Sequence, residues 1–489
     1  MTGRMLPYIT MACLLSPLTY GENPAIEVIF TDQGLHYVKE IGVEWLLENL
    51  ENVSPHDVHG QYSMSLFGTV YYSFVGMTVM QCEFAEPSVE FYEGYPGGIL
   101  ARISDLEAAV SGTWTLSYGL INEGGSFELD VQGLDVFFSV GLGRDEAGQP
   151  YVFLESCKDE VETANIHLYD GASWIVKYFV DHFKDKLRSE IKERICPLVE
   201  QKVDELQGRL QAIGATLQVN QLLAVDVPLT SDPLVSYSSL SLSLKGQFHS
   251  VTSPEDPPFE AQPFSLAGDP AHMLSLGLSE YTINSAAYTY FTSGQLQALI
   301  TDNMIPPSSP FRLNTSSFGS FIPELPKMYP GMEMKLQVYA RDAPEFRFKS
   351  GSVKTTLLGA IKAFAVQADG ALIPLFMLNV GSIFTGKFRM AAGKLTGSVV
   401  MDNFTLTLGT SEVGPIKMAS LERIMKLGIQ VAGLSKLNAK LGKGIGLPTI
   451  QHARLTNLLL TVEEGFISIF SDVEIKLIRD YNVGTPWVA

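Results

Sequence analysis

Positive charge is scarce in this sequence. Lys and Arg together number 34 against 53 Asp and Glu in 489 residues, for a formal net charge of −19, and residues 22–156 hold no cation besides Lys39, Arg102 and Arg144. Such a field repels phosphate backbones, which excludes nucleic acid as a partner, and it opposes approach to anionic surfaces. Charge of either sign is sparse at 18%, whereas hydrophobic residues reach 46%. That balance excludes a disordered chain and points to more buried apolar surface than an ordinary soluble protein holds. Also missing, after the first residues, is any run of about 18 apolar residues, so no transmembrane segment is expected. Catalytic signatures are missing too: no GxSxG elbow, HExxH pair, P-loop or GxGxxG fingerprint occurs. His56-Asp57-Val58-His59 lacks further Cys or His nearby and reads as a solvated turn rather than a metal site. "GLGRDEAG" lies between two strand patterns, which makes it a hairpin turn and not a phosphate cradle. The carboxylates are spread out with no pairing suited to acid–base work. No enzyme, metal or cofactor is expected.

Cysteine is sparse, with four residues. The first stretch, "MTGRMLPYITMACLLSPLTYG", has Arg4, an apolar run over residues 5–15, Pro17 as a breaker and Thr19-Tyr20-Gly21 as a small-x-small site. Residues 1–21 therefore read as a secretory signal peptide, the competing reading being a short buried helix. Secretion would remove Cys13 and leave Cys82, Cys157 and Cys196, enough for one disulfide and one spare thiol. Spacing alone leaves the pair open. Asn52, Asn314 and Asn403 begin glycosylation sequons, which matter only in a secreted, extracellular chain.

What is present is organised twice over. In "NPAIEVIFTDQGLHYVKEIGVEWLLENLENV" the apolar residues alternate as in a strand at Ile26, Val28 and Phe30. They then recur at helical spacing at Leu35, Val38, Ile41 and Trp45. Tyr-, Phe- and Val-rich alternating segments follow, with turn signals at residues 122–125 and 145–148. A long helical stripe comes next through Ile175, Phe179, Phe183, Leu187, Ile191 and Ile195, with Pro197 expected to bend it. Five prolines within residues 246–270 mark a linker. Beyond it the order repeats: a strand, a helix carrying Tyr288, Phe291, Leu296 and Leu299, more strands, then a helix with Leu421, Ile424, Leu427, Val431, Leu434 and Leu437 on one face. A duplicated α+β unit accounts for this plan, with domains at residues 22–245 and 271–489. Two wide-striped helices on one twisted sheet can leave an apolar channel between them. The plainer alternative is that they cover ordinary core.

Four stretches carry a resemblance to a known family. "NPAIEVIFTDQGLHYVKEIG", the "SC" at 156–157 followed by "GASWIVKYFVDHFKDKLRSEIKERICPLV", "DNMIPPSSPFRLNTSSFGSFIPEL" and "GKGIGLPTIQHARLTNLLLTVEEGFISIFSDV" resemble the family of bactericidal/permeability-increasing protein, lipopolysaccharide-binding protein and the plasma lipid-transfer proteins. The matches span nearly the whole mature chain. The resemblance implies an elongated boomerang of two similar barrels, each a twisted antiparallel sheet with two helices, joined by a central sheet. It implies a disulfide between Cys157 and Cys196, leaving Cys82 alone. It also implies a phospholipid in each barrel, lined by Leu35, Val38, Ile41, Trp45, Ile175, Phe179, Phe183 and Leu187 in the first and by Phe291, Leu296, Ile424 and Leu427 in the second. The sequence departs from the endotoxin-binding members where those carry clustered Lys and Arg, since "ENLENVSPHDVHGQY" and "GTWTLSYGLIN" contain neither. The expectation is therefore a secreted protein that holds phospholipid-type acyl chains, with lipid transfer as a further option and partners among lipids and lipid particles. The alternative is an innate-immune, lipopolysaccharide-binding protein.

Overall fold

The computed structural model describes residues 22–50, 57–64, 68–171, 173–305, 311–446 and 453–475. The opening change of rhythm becomes strand β1 (Ile26–Thr31) running straight into helix α1 (Asp32–Leu50). The Gly34 N–H donates to the Thr31 hydroxyl at 3.4 Å, which satisfies one of the orphan donors of the first turn. The strands that follow are β2 (Val58–Met64), β3 (Gly68–Glu83), β4 (Ser88–Tyr92), β5 (Gly98–Tyr118), β6 (Ile121–Arg144) and β7 (Pro150–Leu168). They form one antiparallel sheet ordered β2-β3-β5-β6-β7, with β4 paired to the start of β5. Register shifts at Val75/Thr78, Val79/Gln81 and Ile103/Leu106 mark bulges, which bend and twist a sheet into a half-barrel. At two of them the backbone turns through positive φ, at Gly76 and Asp105. Both N–H groups are caught by carboxylates, Gly76 by Asp57 and Asp105 by Asp135, each at 2.9 Å.

One turn lies elsewhere than expected. Residues 122–125 belong to β6, and the hairpin bends three residues earlier at Gly119-Leu120, with Tyr118 facing Ile121. Gly124 and Gly125 are instead places of close approach. A Cβ on Gly125 would stand 2.0 Å from the Tyr169 carbonyl oxygen, so only glycine lets that backbone pass. The turn at residues 145–148 forms as read, with Asp145 accepting from the N–H groups of Ala147 and Gln149.

Helix α2 (Ser173–Ile213) runs for 41 residues and lies along β7. Pro197 sits inside it without ending it. Short strands β8 (Thr216–Gln218), β9 (Leu223–Asp226), β10 (Leu234–Ser236), β11 (Ser239–Leu244) and β12 (Gln247–Ser250) follow, of which β12, β9 and β8 form a small sheet. Residues 251–270 hold no strand or helix, yet they pack. Leu266 is buried and donates its N–H to Glu27, and the ring of Phe264 lies 4.9 Å from that of Phe466.

The second half opens with β13 (Leu274–Ser279) and α3 (Glu280–Thr292). The helix ends sooner than its apolar spacing implied, because Gly294 takes φ +67°, a left-handed conformation that halts an α-helix. Leu296 and Leu299 therefore lie beyond it, Leu299 within strand β14 (Gln297–Ile300). Short helices α4 (Thr315–Phe318) and α5 (Leu325–Met328) precede β15 (Met334–Ala340), β16 (Glu345–Lys349), β17 (Ser352–Val366), β18 (Leu372–Ala391) and β19 (Lys394–Ser411). Then come α6 (Met418–Gly428), a π-helical turn (Ile429–Leu434), α7 (Ser435–Lys443), β20 (Ile445–Gly446), β21 (Ala453–Val462) and β22 (Phe466–Ile475). The second half-barrel is ordered β14-β15-β17-β18-β19-β20, with β16 paired to β17.

The halves meet in a six-stranded antiparallel sheet ordered β10-β11-β1-β13-β22-β21. β1 pairs with β11 on one side and β13 on the other, so Ile26 faces Leu244 and Leu278 at once. On β13 the buried positions are Ser275, Gly277 and Ser279. A Cβ on Gly277 would meet the Phe264 ring at 2.7 Å, so small residues there make room for the proline-rich segment crossing above. The result is the α+β arrangement of two curled antiparallel sheets on a shared central sheet.

Candidate lipid-binding site

The apolar inner face of the first half-barrel comes from strand alternation. Val70, Tyr72 and Phe74 of β3, Trp114 and Leu116 of β5, Phe127 of β6 and Ile166 of β7 form one buried cluster, against which Val180 of α2 packs. Further along α2, Ile191, Ile195 and Val199 pack on Val131, Leu134, Val136, Val161 and Ala164. The helix thus lies lengthwise on a continuous apolar sheet face. Trp114 anchors its end: the indole is 2% exposed, and its N–H donates to the Tyr169 carbonyl at 3.1 Å. A buried polar ring atom without that partner would destabilise the cluster.

The disulfide implied by the resemblance is present. Cys157 on β7 is bonded to Cys196 on α2 with Cα atoms 5.7 Å apart, and Cys82 is free. Burial pushes the Cys82 thiol up, which disfavours the reactive thiolate. Beside the disulfide lies a cleft of 640 Å³ lined by Phe137, Lys158, Asp159, Glu160, Lys192 and Glu193 among others. Its charged lining does not suit an acyl chain. Phe291 and Leu296 meet in a second cleft, of 240 Å³, with Gln297, Gln337, Tyr339 and Lys362.

The remaining expected lining residues are dispersed. Leu35 is buried with Phe91 and Val235, where α1 meets β4 and β10, and Ile41 is half-buried. Val38 is exposed, because the neighbouring positions do the anchoring: Tyr37 accepts from the Ile475 N–H and Lys39 pairs with Glu86 at 2.6 Å. The side chains of Trp45, Ile175, Phe179, Phe183 and Leu187 lie outside the described part of the structure, as does Asn52. Ile424 packs against the second core, but Leu427 is 54% exposed. Six residues beyond buried Leu421, at ~100° per residue, Leu427 stands roughly 120° off the packed face. The wide turn at Ile429–Leu434 rotates the stripe again, leaving Val431 and Leu437 outside and burying Leu441. The inside of the second half-barrel is filled by its own chain, with Ile322 and Leu325 fully buried against Met334, Leu375 and Leu378. Asn314 accepts from the Ser317 N–H and so caps α4, while Asn403 is exposed on β19. Among the described residues no group of three or more His, Cys, Asp or Glu is placed to hold a metal ion, and no helix is long and apolar enough to cross a membrane.

Comparison with known proteins decides the family. Residues 34–211 match the model of the N-terminal domain of the LBP / BPI / CETP family, and residues 217–475 match that of its C-terminal domain. The chain belongs to the LBP / BPI / CETP family. It is 33% identical to a bactericidal permeability-increasing protein of Sebastes schlegelii over 94% of this chain and 97% of that one. Identity to the lipopolysaccharide-binding proteins of Bos taurus and Homo sapiens is 27% in both cases, over 96% of this chain and 98% of each relative. A crystal structure of lipopolysaccharide binding protein superposes with a TM-score of 0.55 at 25% identity, covering 93% of this chain and 99% of the other. Sequence reasoning missed Trp114 and Phe127 as the anchors of the α2 face, although the alternation around "GTWTLSYG" and "SFELDV" was a usable signal.

Proposed function

We propose that the protein binds lipopolysaccharide or a closely related acylated, phosphorylated glycolipid outside the cell, as an innate-defence protein. The observation that carries this reading is the 33% identity to a bactericidal permeability-increasing protein along almost the whole of both chains. The apolar stretch at residues 5–15 and the disulfide fit a secreted chain. The acyl chains lie between α2, α1 and the inner face of the first half-barrel, where an extended apolar sheet face meets a long helix. Burying such chains supplies the binding energy, at about 0.8 kcal/mol per CH₂ removed from water.

A second reading rests on one specific observation. Residues 22–156 carry three cations, Lys39, Arg102 and Arg144, so headgroup phosphates find little to attract them there. A neutral phospholipid such as phosphatidylcholine meets no opposing field. A displacement titration separates the two: with a fluorescent acyl probe bound, lipopolysaccharide displaces it at lower concentration than phosphatidylcholine does. Displacement by phosphatidylcholine alone would replace the first reading with the second.

A further inference from the structure

The acidity of the chain is confined to one half. Residues 1–270 hold 14 Lys and Arg against 38 Asp and Glu, whereas residues 271–489 hold 20 against 15. Within the second half the two longest stretches without a carboxylate are residues 370–401, with Lys387, Arg389 and Lys394, and residues 423–462, with Arg423, Lys426, Lys436, Lys440, Lys443 and Arg454. The fold brings the two stretches together. Asn438 of α7 accepts from the Val399 N–H at 2.7 Å and donates to the Val399 carbonyl at 2.9 Å, which docks the helix along β19. Past the helix, β20 pairs with the start of β19, Ile445 opposite Leu395.

Register decides which side chains share a side. Arg389 faces Thr396 and Lys387 faces Ser398 across the β18–β19 ladder, and Ala391 faces Lys394. Directly opposed and alternate residues point the same way, so Lys387, Arg389 and Lys394 stand on one face of the hairpin. The side chain of Lys394 runs past Gly444, where a Cβ would meet it at 2.8 Å, and so reaches the end of α7. There Lys436, Lys440 and Lys443 recur at four- and three-residue steps, the spacing of one helical face. All six cations are exposed, and none makes an ion pair among the described residues. Val400, Leu427, Val431, Leu437 and Ile445, large apolar residues all more than 40% exposed, lie on the same helices and strands.

We propose that this end of the second half-barrel, the β18–β19 hairpin with α6 and α7, docks on an anionic lipid bilayer surface. Cations alone would fit any acidic partner. Exposed apolar side chains on the same elements, with no covering element among the described residues, fit a surface that offers both anionic headgroups and acyl chains to enter. The proposal does not rest on the lipopolysaccharide reading, because it concerns a face remote in sequence from α1 and α2 and a bilayer rather than a held lipid. Its consequence is a division of labour, with the acidic half-barrel held away from the anionic surface and the basic one against it.

Flotation of the full-length protein with vesicles tests this. Vesicles of phosphatidylcholine with phosphatidylglycerol should carry the protein up, and pure phosphatidylcholine should carry much less. Raising salt from about 0.1 M to about 1 M, which shortens the Debye length from about 10 Å to about 3 Å, should release it. The triple variant K436Q/K440Q/K443Q should bind the anionic vesicles on the order of a hundredfold more weakly, at the usual contribution of a lysine near such a surface. The matching K436R/K440R/K443R variant should bind like the parent, and Val431→Asp should weaken binding with an unchanged circular dichroism spectrum. Parent-like binding by the glutamine variant, or preference of the parent for neutral vesicles, would overturn the proposal. So would retention of the protein by an acidic polypeptide but by no vesicle.

Discussion

Replacing Cys157 and Cys196 together by serine isolates the link between β7 and α2. The bond closes a loop of 39 residues, for which the chain-entropy model gives about 4 kcal/mol at 25 °C. The loop runs through the Asp170–Gly171 corner and the first half of α2, so its loss frees the helix to lift from the sheet. The bond belongs to the first half-barrel, and the second holds a separate core around Ile322, Leu325 and Leu375. Calorimetry should therefore resolve two transitions with different responses. At roughly 2–4 °C per kcal/mol for a unit of this size, the first-half transition should fall by about 8–16 °C. The second should move little. An equal fall in both, or a fall of less than about 2 °C in the first, would refute the view that the disulfide clamps α2 within an independently cored half.

Other perturbations have separate physical causes. Ile424→Asp puts an unpaired carboxylate against the second core and should cost several kcal/mol, whereas Leu427→Asp, three residues on and exposed, should stay within about 0.5 kcal/mol by urea denaturation. Gly125→Ala forces a Cβ toward the Tyr169 carbonyl and should cost about 1–3 kcal/mol, while Gly143→Ala, with nothing within 4 Å of the new methyl, should be tolerated. Burial raises the Glu27 carboxyl above its ordinary 4.5, against the opposing pull of the Leu266 N–H. The unfolded chain therefore loses that proton first, and stability should fall as pH rises from 4.5 through the raised folded value. Glu27→Gln should remove this slope and be the more stable protein at neutral pH; a slope unchanged in the variant would locate the titration elsewhere.

Much of the fold was legible because periodicity reports element type. The alternation at Ile26, Val28 and Phe30 gave β1, although its buried positions are Ile29 and Thr31, and the helical stripe beyond residue 172 gave α2 through Pro197. What escaped was set by contacts distant in sequence. Gly124 and Gly125 read as a turn by composition, but a Cβ on Gly124 would crowd the Trp114 carbonyl of β5 and one on Gly125 the chain after β7 at Tyr169. Leu296 and Leu299 fell into a helical pattern that Gly294 interrupts. The face of the last helical stretch was misread because three-residue steps from Leu421 drift about 60° each off the packed side, and the π-turn beyond Gly428 rotates the stripe again. Of the site, the disulfide came from the family resemblance. Of the lining residues expected in the second half-barrel, Phe291 and Leu296 share a cleft, whereas Ile424 packs on the core and Leu427 is exposed. The basic end of the second half was open to simple counting, but the net charge of −19 concealed it.

The central claim, that acyl chains lie between the helices and the inner sheet face of the first half-barrel, is tested most directly by photo-crosslinking. A lipopolysaccharide or phospholipid carrying a diazirine near the end of an acyl chain is bound to the full-length protein, irradiated, and the labelled peptides are mapped by mass spectrometry. The account predicts label in α1, in α2 and in the inward residues of β3, β5 and β6 around Trp114 and Phe127. Label confined to outward-facing segments, or no label above that of an unbound control, would contradict it.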